Sequence, residues 1–216
     1  MNIKQYMSTP VLTISPEMTI PDARELLRAR DFRHLPVVDE NGQLLGIVTD
    51  RDLRSAYPST VLCDERSQAR LAALKKTPVS EIMSRETYTL PVEATIDDAL
   101  LILDRQKVGA LPVVDENGAV LGMFSIRDLI RAYRGLFGLG ERGSAMLAIE
   151  DDGRPRPLSR LCAALEAADI HFTRLLKAKQ KPDDEHFIIY LRVTTYNLSA
   201  VRKILAAAGF FEKTDH

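Results

Sequence analysis

A pattern of glycine, hydroxyl and carboxylate occurs twice in this chain, each time where a predicted strand leads into a predicted helix. A carboxylate at such a turn can accept hydrogen bonds from both hydroxyls of a ribose, each worth about 1.5–3 kcal/mol when one partner is charged. The N–H groups that begin a helix suit a phosphate oxygen. The pattern therefore indicates a site for a sugar-phosphate ligand. The two copies are Gly46, Thr49 and Asp52, and Gly122, Ser125 and Asp128.

The same pattern also has a ligand-free interpretation. Ser/Thr-x-x-Asp is close to a capping box, in which the hydroxyl and the acid satisfy backbone N–H groups at the start of a helix. The acid of a capping box is more often Glu or Gln, and both copies have Asp. The residue types alone therefore leave the ligand role and the capping role open.

Both copies belong to a longer internal repeat. When the chain is shifted by 76 residues, 22 of the 48 positions from 7 to 54 are identical to positions 83 to 130. The stretch 35–42 returns in full as 111–118. We predict two copies of one unit that pack together, because a single unit of about 55 residues would bury too little surface.

Each repeat is predicted to contain a strand, a helix, a hairpin and a final helix. In the first repeat, Thr19 caps a helix and the apolar stretch 35–38 is a buried strand. Asn41-Gly42 predicts a hairpin turn to a strand at 44–48, and a helix follows from about 50 to 57. The second repeat predicts a cap at Thr95, strands at 111–114 and 120–124, a turn at Asn117-Gly118 and a helix from about 126 to 137.

Composition excludes several classes of protein. The 216 residues include 29 Lys and Arg against 30 Asp and Glu, so the net charge of -1 gives no basic field for nonspecific nucleic-acid binding. No apolar stretch approaches the roughly 20 residues of a membrane span, and no signal peptide is expected. Cys63 and Cys162 have no metal-ligand spacing and fit a reducing cytosol. We expect a cytoplasmic protein without a metal site, a membrane span or a nucleic-acid partner.

The repeated Met-Ser, Leu-Pro-Val-Val-Asp and Gly-x-x-Thr/Ser-x-x-Asp motifs resemble those of a pair of CBS domains, from residue 1 to about 136. The resemblance implies a sandwich with pseudo-twofold symmetry and two clefts. It also implies adenosine-containing regulatory ligands, such as AMP, ADP, ATP or S-adenosylmethionine, and no catalytic cofactor. Such pairs commonly form homodimers, and residues 129–137 are a candidate surface.

The family's ligand contacts carry over onto this sequence as two pockets, each built from both repeats. Arg51 and Arg127 lie beside the two acids and could reach a phosphate, although exposed arginines at the start of a helix usually have no specific role. The first pocket would use Thr49, Asp52, Met83, Tyr88, Val108, Gly109 and Ala110, and the second would use Ser125, Asp128, Met7, Leu12, Phe32, Arg33 and His34.

The two predicted pockets differ in charge. Arg33 and His34 bring cationic groups to the second pocket, whereas Gly109 and Ala110 in the first are small and neutral. We therefore predict that the second pocket tolerates more phosphate charge. A structural role stays open, in which Arg33 is solvated and His34 packs at a strand edge.

The last third of the chain predicts a separate small domain. A glycine-rich linker at 137–144 precedes strands at 145–149, 170–178 and 187–194. Helices are predicted at 158–168 and 198–208, and Phe210-Phe211 begins a possible last strand. The acidic turn within 180–185 fits a solvated loop better than a metal site.

That order, βαββα(β), resembles an ACT domain, a ferredoxin-like module. A CBS pair followed by such a domain resembles the arrangement of acetoin-utilisation regulatory proteins. Amino-acid-binding ACT domains usually have a glycine where this chain has Arg156, so the resemblance implies a role in assembly or partner contact. The predicted fold class is therefore α/β (α+β), divided into a first CBS repeat at 1–60, a linker helix at 61–78, a second repeat at 79–136, a linker at 137–144 and an ACT-like domain at 145–216.

Three functions follow as hypotheses. The first is a non-catalytic sensor of an adenosyl ligand, which rigidifies the contact between the repeats and acts on a protein partner. The second is a ligand-free dimeric scaffold that presents the ACT-like domain. The third, an enzyme, has no catalytic constellation in its favour and no glycine-rich phosphate loop.

Overall fold

The computed structural model describes residues 1–57, 71–179, 181 and 186–213, which divide into two compact units at Ala132 and Tyr133. Of the linker helix predicted at 61–78, residues 71–74 are helical and 61–70 lie outside the described residues. Most of the acidic turn at 180–185 also lies outside them. The fold is mixed α+β, as predicted: a pair of similar repeats plus an additional small α/β domain.

The first repeat contains helices α1 (Ile20–Arg30) and α2 (Asp50–Ala56) and strands β1 (His34–Val38) and β2 (Leu44–Thr49). β1 and β2 form an antiparallel hairpin. Its turn needs Gly42, whose φ of +79° lies in the left-handed region. The predicted leading strand is reduced to one bridge, in which Ile14 pairs with Val37 in parallel, so the predicted element order is only partly realised here.

The second repeat contains all the predicted elements. A short strand, β3 (Leu90–Pro91), precedes helix α3 (Ile96–Gln106) and pairs in parallel with the next strand. That strand, β4 (Ala110–Val114), forms an antiparallel hairpin with β5 (Val120–Ser125), and α4 (Ile126–Phe137) follows.

The two hairpins have equivalent register and equivalent cores. The first residue of each leading strand pairs with the hydroxyl residue that precedes the final helix, His34 with Thr49 and Ala110 with Ser125. The leading strands β1 and β4 are buried along most of their length, as their continuous apolar runs indicate. Side chains with no exposure to solvent include Leu35, Val37, Val48 and Leu53 in the first repeat and Leu111, Val113 and Phe124 in the second.

Each repeat completes the final strand of the other. Ile47 in β2 exchanges two backbone hydrogen bonds with Ser84, at 3.0 and 2.9 Å. At the equivalent positions of the duplicated unit, Met123 in β5 exchanges two with Ser8, at 3.1 and 2.8 Å. The leading segment of one repeat therefore lies against the strand that positions the acid of the other repeat.

The C-terminal unit contains strands β6 (Ser144–Glu150), β7 (Phe172–Lys179) and β8 (Phe187–Thr194). They form an antiparallel sheet in the order β6-β8-β7. Helices α5 (Pro157–Ala167) and α6 (Leu198–Ala207) contribute buried residues to one core with the sheet, among them Leu161, Leu205, Leu147 and Leu191. The predicted last strand is a single bridge between Glu212 and Ile149 in β6.

No helix among the described residues has the length and apolar character needed to cross a bilayer.

Substitution of Gly46 tests how closely the backbones of the two repeats approach each other. A Cβ placed on Gly46 would lie 2.8 Å from the carbonyl oxygen of Ser84, so an alanine forces the two backbones apart. We expect Gly46→Ala to lower the free energy of unfolding by about 1–3 kcal/mol, the usual cost of overpacking. Chemical denaturation followed by circular dichroism measures the change.

Gly135→Ala is the matched control for that substitution. Gly135 lies in α4, and an added Cβ there meets no described atom within 4 Å. Replacing a helical glycine by alanine should raise the free energy of unfolding by about 0.5–1 kcal/mol. Equal effects of the two substitutions would contradict the close approach at Gly46.

Candidate functional site

The turn between β2 and α2 is held by a capping box. The carboxylate oxygen Oδ2 of Asp52 accepts hydrogen bonds from the Thr49 backbone N–H at 2.8 Å and from the Thr49 hydroxyl at 2.7 Å. The backbone N–H of Asp52 donates to Thr49 Oγ1 at 3.3 Å. The structure thus contains the capping interaction that the sequence left open as one of two roles.

The second repeat has the same arrangement at the start of α4. Oδ2 of Asp128 accepts hydrogen bonds from the Ser125 N–H at 2.8 Å and from the Ser125 hydroxyl at 2.7 Å. The N–H of Asp128 donates to Ser125 Oγ at 3.4 Å. The two acids differ in burial, because Asp128 is only 4% exposed and Asp52 is half-buried.

The capping role does not use up the carboxylate of Asp52. All its hydrogen bonds with Thr49 involve Oδ2, and within the described part of the chain no donor contacts Oδ1. Asp52 also lines a cavity. One oxygen therefore accepts the capping hydrogen bonds while the other is available to a ligand. The capping role and the ligand role are compatible at this site.

The cavity has a volume of about 620 Å³ and is lined by both repeats. Cavities of this size hold ligands as large as a nucleotide. The structure brings together in its lining most of the first predicted pocket, with the neighbouring Arg51. Met83 instead is buried against Gly46. The predicted residues found in the lining are Thr49, Asp52, Tyr88, Val108, Gly109 and Ala110.

Arg33 and His34 line this same cavity, although the sequence analysis assigned them to the other pocket. The register explains the difference, because His34 pairs with Thr49 across the hairpin. Nε2 of His34 lies 3.1 Å from where a Cβ of Gly109 would be, so the imidazole occupies the space that this glycine leaves open. The expected excess of positive charge therefore belongs to the Thr49/Asp52 cavity.

Residues that the sequence analysis did not nominate also line the cavity. Lys107 and Ser55 face it, as does Asp50, which forms an ion pair with Arg54 in the first turns of α2. Lys107 and Ser55 stand at positions where the repeats differ, against Asp31 and Arg131. A position-by-position comparison of the repeats includes both among the differing positions but does not distinguish them from the other differences.

The remaining residues of the second predicted pocket are more dispersed. Met7 packs its sulfur against Gly122, and Leu12 packs against the core of the first repeat. Phe32 is exposed. Arg127 forms an ion pair with Asp31 at 3.6 Å.

Burial in the cavity wall lowers the pKa of His34 below its ordinary value of 6.5. The positive charge of Arg33 lowers this pKa further, and the negative charge of Asp52 partly opposes both effects. The imidazole is therefore neutral at pH 7.

Comparison with known proteins identifies relatives of the repeated region. The family model "CBS domain" matches residues 3–59 and 79–135, one match for each repeat. A CBS domain-containing protein of Dictyostelium discoideum is 38% identical over 128 residues, which cover 59% of this chain and 88% of that protein. The inosine-5'-monophosphate dehydrogenase of Aquifex aeolicus is 32% identical over 121 residues, 56% of this chain, and the chain spans only 22% of that enzyme.

Solved structures with the same fold include two with adenosyl ligands. The CBS domain pair of protein MJ0100, in complex with 5'-methylthioadenosine and S-adenosyl-L-methionine, is 29% identical with a TM-score of 0.53, over 63% of this chain and 98% of that one. CBSX2 of Arabidopsis thaliana in complex with AMP is 25% identical with a TM-score of 0.53, over 63% and 98%. A Vibrio cholerae protein assigned to acetoin utilization (AcuB) is 28% identical with a TM-score of 0.54, over 65% and 96%.

The lowered pKa of His34 predicts a pH-dependent stability. Below pH 6.5 the folded protein binds fewer protons at His34 than the unfolded protein does, so this contribution to stability is complete above the unfolded pKa and is lost as the pH falls through the folded pKa. We expect His34→Gln to lose less stability than the unmodified chain between about pH 7.5 and pH 5. Urea denaturation at each pH measures the difference.

The control is His171→Gln, which removes an exposed imidazole from the C-terminal unit. It should leave the pH dependence of stability closer to that of the unmodified chain than His34→Gln does. Parallel pH profiles for the unmodified chain and His34→Gln would show that burial does not shift this imidazole.

Proposed function

Because the chain belongs to the CBS domain family, we propose that it is a regulatory protein that binds an adenosine-containing ligand in the cavity beside Thr49 and Asp52. The observation that carries the proposal is the second carboxylate oxygen of Asp52. Oδ1 has no donor among the described residues, although Asp52 lines the cavity. A ribose supplies two hydroxyl donors for such an acceptor.

Related structures support the adenosine part of the ligand. The CBS domain pair of MJ0100 was solved with 5'-methylthioadenosine and S-adenosyl-L-methionine, and CBSX2 was solved with AMP. All three carry an adenosine group, whereas their other groups differ in charge. Backbone at the start of β4, from Val108 to Ala110, lines the cavity and offers N–H and C=O groups to a base.

The charges of the cavity favour a ligand with phosphate groups. Arg33, Arg51 and Lys107 are exposed cations in its lining, and no acidic partner contacts them in the described part of the chain. Asp50 is already paired with Arg54, and the other acids of the lining are Asp52 and Glu86, so its four Arg and Lys residues exceed its acids by one. A phosphate would pair with these cations, whereas the sulfonium of S-adenosylmethionine would be repelled by them. We therefore favour AMP, ADP or ATP.

A ligand in this cavity would contact both repeats at once. Asp52 belongs to the first repeat, and residues 108–110 belong to the second. Binding therefore ties the two repeats together and favours whichever arrangement places these groups at the right separation. The size of the response is set by the difference in ligand affinity between the two arrangements. This mechanism requires no catalytic residue.

The alternative function is a ligand-free scaffold, and the capping boxes favour it. Both acids accept hydrogen bonds from backbone N–H groups at their own turns, an interaction internal to the chain that begins a helix without any ligand. In this alternative the repeats serve only to assemble the protein and to present the C-terminal unit.

For the C-terminal unit we propose an ACT-like fold with a role in assembly or partner contact. The sheet order β6-β8-β7, with Glu212 bridging to β6, supports a ferredoxin-like arrangement. In the loop before α5, Asp152 already accepts a hydrogen bond from Arg160 at 2.6 Å. Arg156 stands in the left-handed region with a φ of +55°, where the amino-acid-binding domains have their glycine.

We also propose a homodimer that uses part of the surface predicted at 129–137. Leu129 and Ala132 are buried within the chain and cannot serve this purpose. Ile126 and Ile130 lie on the exposed side of α4, at 45% and 54% exposure. Their spacing of four residues places them on one face of the helix.

Asp52→Ala tests the ligand role. We expect affinity for AMP or ATP, measured by isothermal titration calorimetry on protein freed of copurified ligand, to fall about 10- to 150-fold, because a hydrogen bond to a charged group contributes about 1.5–3 kcal/mol. Loss of the capping interaction should lower the free energy of unfolding by about 1 kcal/mol. No saturable binding of any adenosyl ligand to the unmodified chain would end the sensor hypothesis in favour of the scaffold.

Asp98→Ala is the control for the loss of a cap. Asp98 forms the same capping box with Thr95 at the start of α3, with hydrogen bonds of 2.9 and 2.7 Å, and does not line the cavity. This variant should lose stability and keep its affinity for nucleotide. Equal loss of binding in the two variants would show that the effect of Asp52→Ala is structural.

Lys107→Asp tests the preference for phosphate. Lys107 has a φ of +53° and its counterpart Asp31 has a φ of +51°, so aspartate fits this backbone. The new acid would pair with Arg51, as Asp31 pairs with Arg127, and would repel a phosphate. We expect ATP affinity to fall at least about tenfold and adenosine affinity to stay within about twofold. An equal fall for both ligands would argue against phosphate recognition by Lys107.

A further inference from the structure

The two capping boxes differ at the position three residues after the acid. In the first repeat this position is Ser55, which is exposed and lines the cavity. In the second repeat it is Arg131. Because residues three apart lie on the same face of a helix, each of these side chains is a neighbour of its acid.

Arg131 binds the carboxylate oxygen whose counterpart in the other repeat has no donor among the described residues. Its Nη2 donates a hydrogen bond to Oδ1 of Asp128 at 2.6 Å and another to the backbone carbonyl of Tyr6. Oδ2 of Asp128 is held by Ser125, as described above. Both oxygens of Asp128 therefore have partners within the chain, and its side chain is only 6% exposed.

A ribose hydroxyl would have to displace a charged donor to reach Asp128. Charge-assisted hydrogen bonds are about twice as strong as neutral ones, so a neutral hydroxyl is a poor replacement for a guanidinium. The displaced Arg131 would also lose its bond to the Tyr6 carbonyl. The acid of the second cleft is thus unavailable to a diol, although its capping box matches the first.

The phosphate-binding position of the second cleft is neutralised as well. Arg127 forms an ion pair with Asp31 at the second cleft. The residues at the equivalent positions of the first cleft are Arg51 and Lys107, two cations that repel each other. The pair between Arg127 and Asp31 is exposed and contributes little to stability. It nevertheless lowers the positive charge available to an anion.

We infer that Arg131 acts as a built-in occupant of the second cleft, so that each chain binds one adenosyl ligand, at Asp52. This inference rests on the proposed function, because it assigns the stoichiometry and the determinant of the same kind of site. It makes Arg131 the residue that decides whether the acid of the second cleft is available to a ligand.

The test is the number of ATP molecules bound per chain, measured by calorimetry and by equilibrium dialysis with the full chain. We expect one site in the unmodified chain and two in Arg131→Ser, which gives the second repeat the residue of the first. The double variant Asp52→Ala with Arg131→Ser should have one site, in the second cleft, whose ATP affinity is lower than that of the native site because Asp31 neutralises Arg127, whereas Asp52→Ala alone should have no strong site. This pair of variants assigns the new site to the second cleft.

The reciprocal variant Ser55→Arg provides an independent arm. An arginine there should pair with Oδ1 of Asp52 and lower ATP affinity at the native site at least about tenfold. Arg134→Ser is the matched control, because Arg134 is an exposed arginine one turn further along α4 that does not contact Asp128. It should bind one ATP per chain, and circular dichroism checks that every variant is folded.

The outcomes separate this inference from the proposed function. Two sites in the unmodified chain, or one site in both the unmodified chain and a folded Arg131→Ser, would overturn the role of Arg131 and leave nucleotide binding intact. If Arg131→Ser fails to fold, unchanged binding by a folded Ser55→Arg would overturn it. If neither the unmodified chain nor Arg131→Ser binds ATP, the proposed function and this inference are overturned together.

Discussion

The exchange of backbone hydrogen bonds between the repeats is the constraint on which the rest of the structure depends. Ile47 bonds to Ser84 and Met123 bonds to Ser8, so the strand that ends at each acid is paired with the other repeat. A side chain at Gly46 would not fit at that distance. Because the pairing is reciprocal, a cleft at the end of either strand must contain residues from both repeats, and neither repeat alone can form one.

One carboxylate can serve the fold and a ligand because it has two oxygens. In both repeats Oδ2 of the acid accepts the hydrogen bonds of the capping box, and the repeats differ in what contacts Oδ1. At Asp52, which lines the cavity and whose Oδ1 has no donor among the described residues, capping holds the carboxylate in place before any ligand arrives. Where Oδ1 is bound by Arg131, the same cap is purely structural. Ligand binding and capping are therefore not competing explanations of the motif but successive uses of one side chain.

The sequence predicts the elements well because their signals are local. The hairpin turns at Asn41-Gly42 and Asn117-Gly118 and the capping residues depend on neighbours within four positions. The position of His34 in the lining of the Thr49/Asp52 cavity does not follow from the sequence, because it depends on which side of a strand faces the other repeat, which no local pattern records. The leading strand of the first repeat was also overestimated, since Ile14 makes only one bridge.

The positions where the repeats differ carry more functional information than the positions where they agree. Agreement at the turns is required by capping alone, so it would persist with or without a ligand. The differences at residues 55 and 131, and at 31 and 107, change charge beside each acid and leave the backbone unchanged. Substitutions of that kind do not improve packing, so their effect falls on what each cleft can bind. A ligand confined to one cleft would still contact both repeats, and single occupancy is sufficient to couple them.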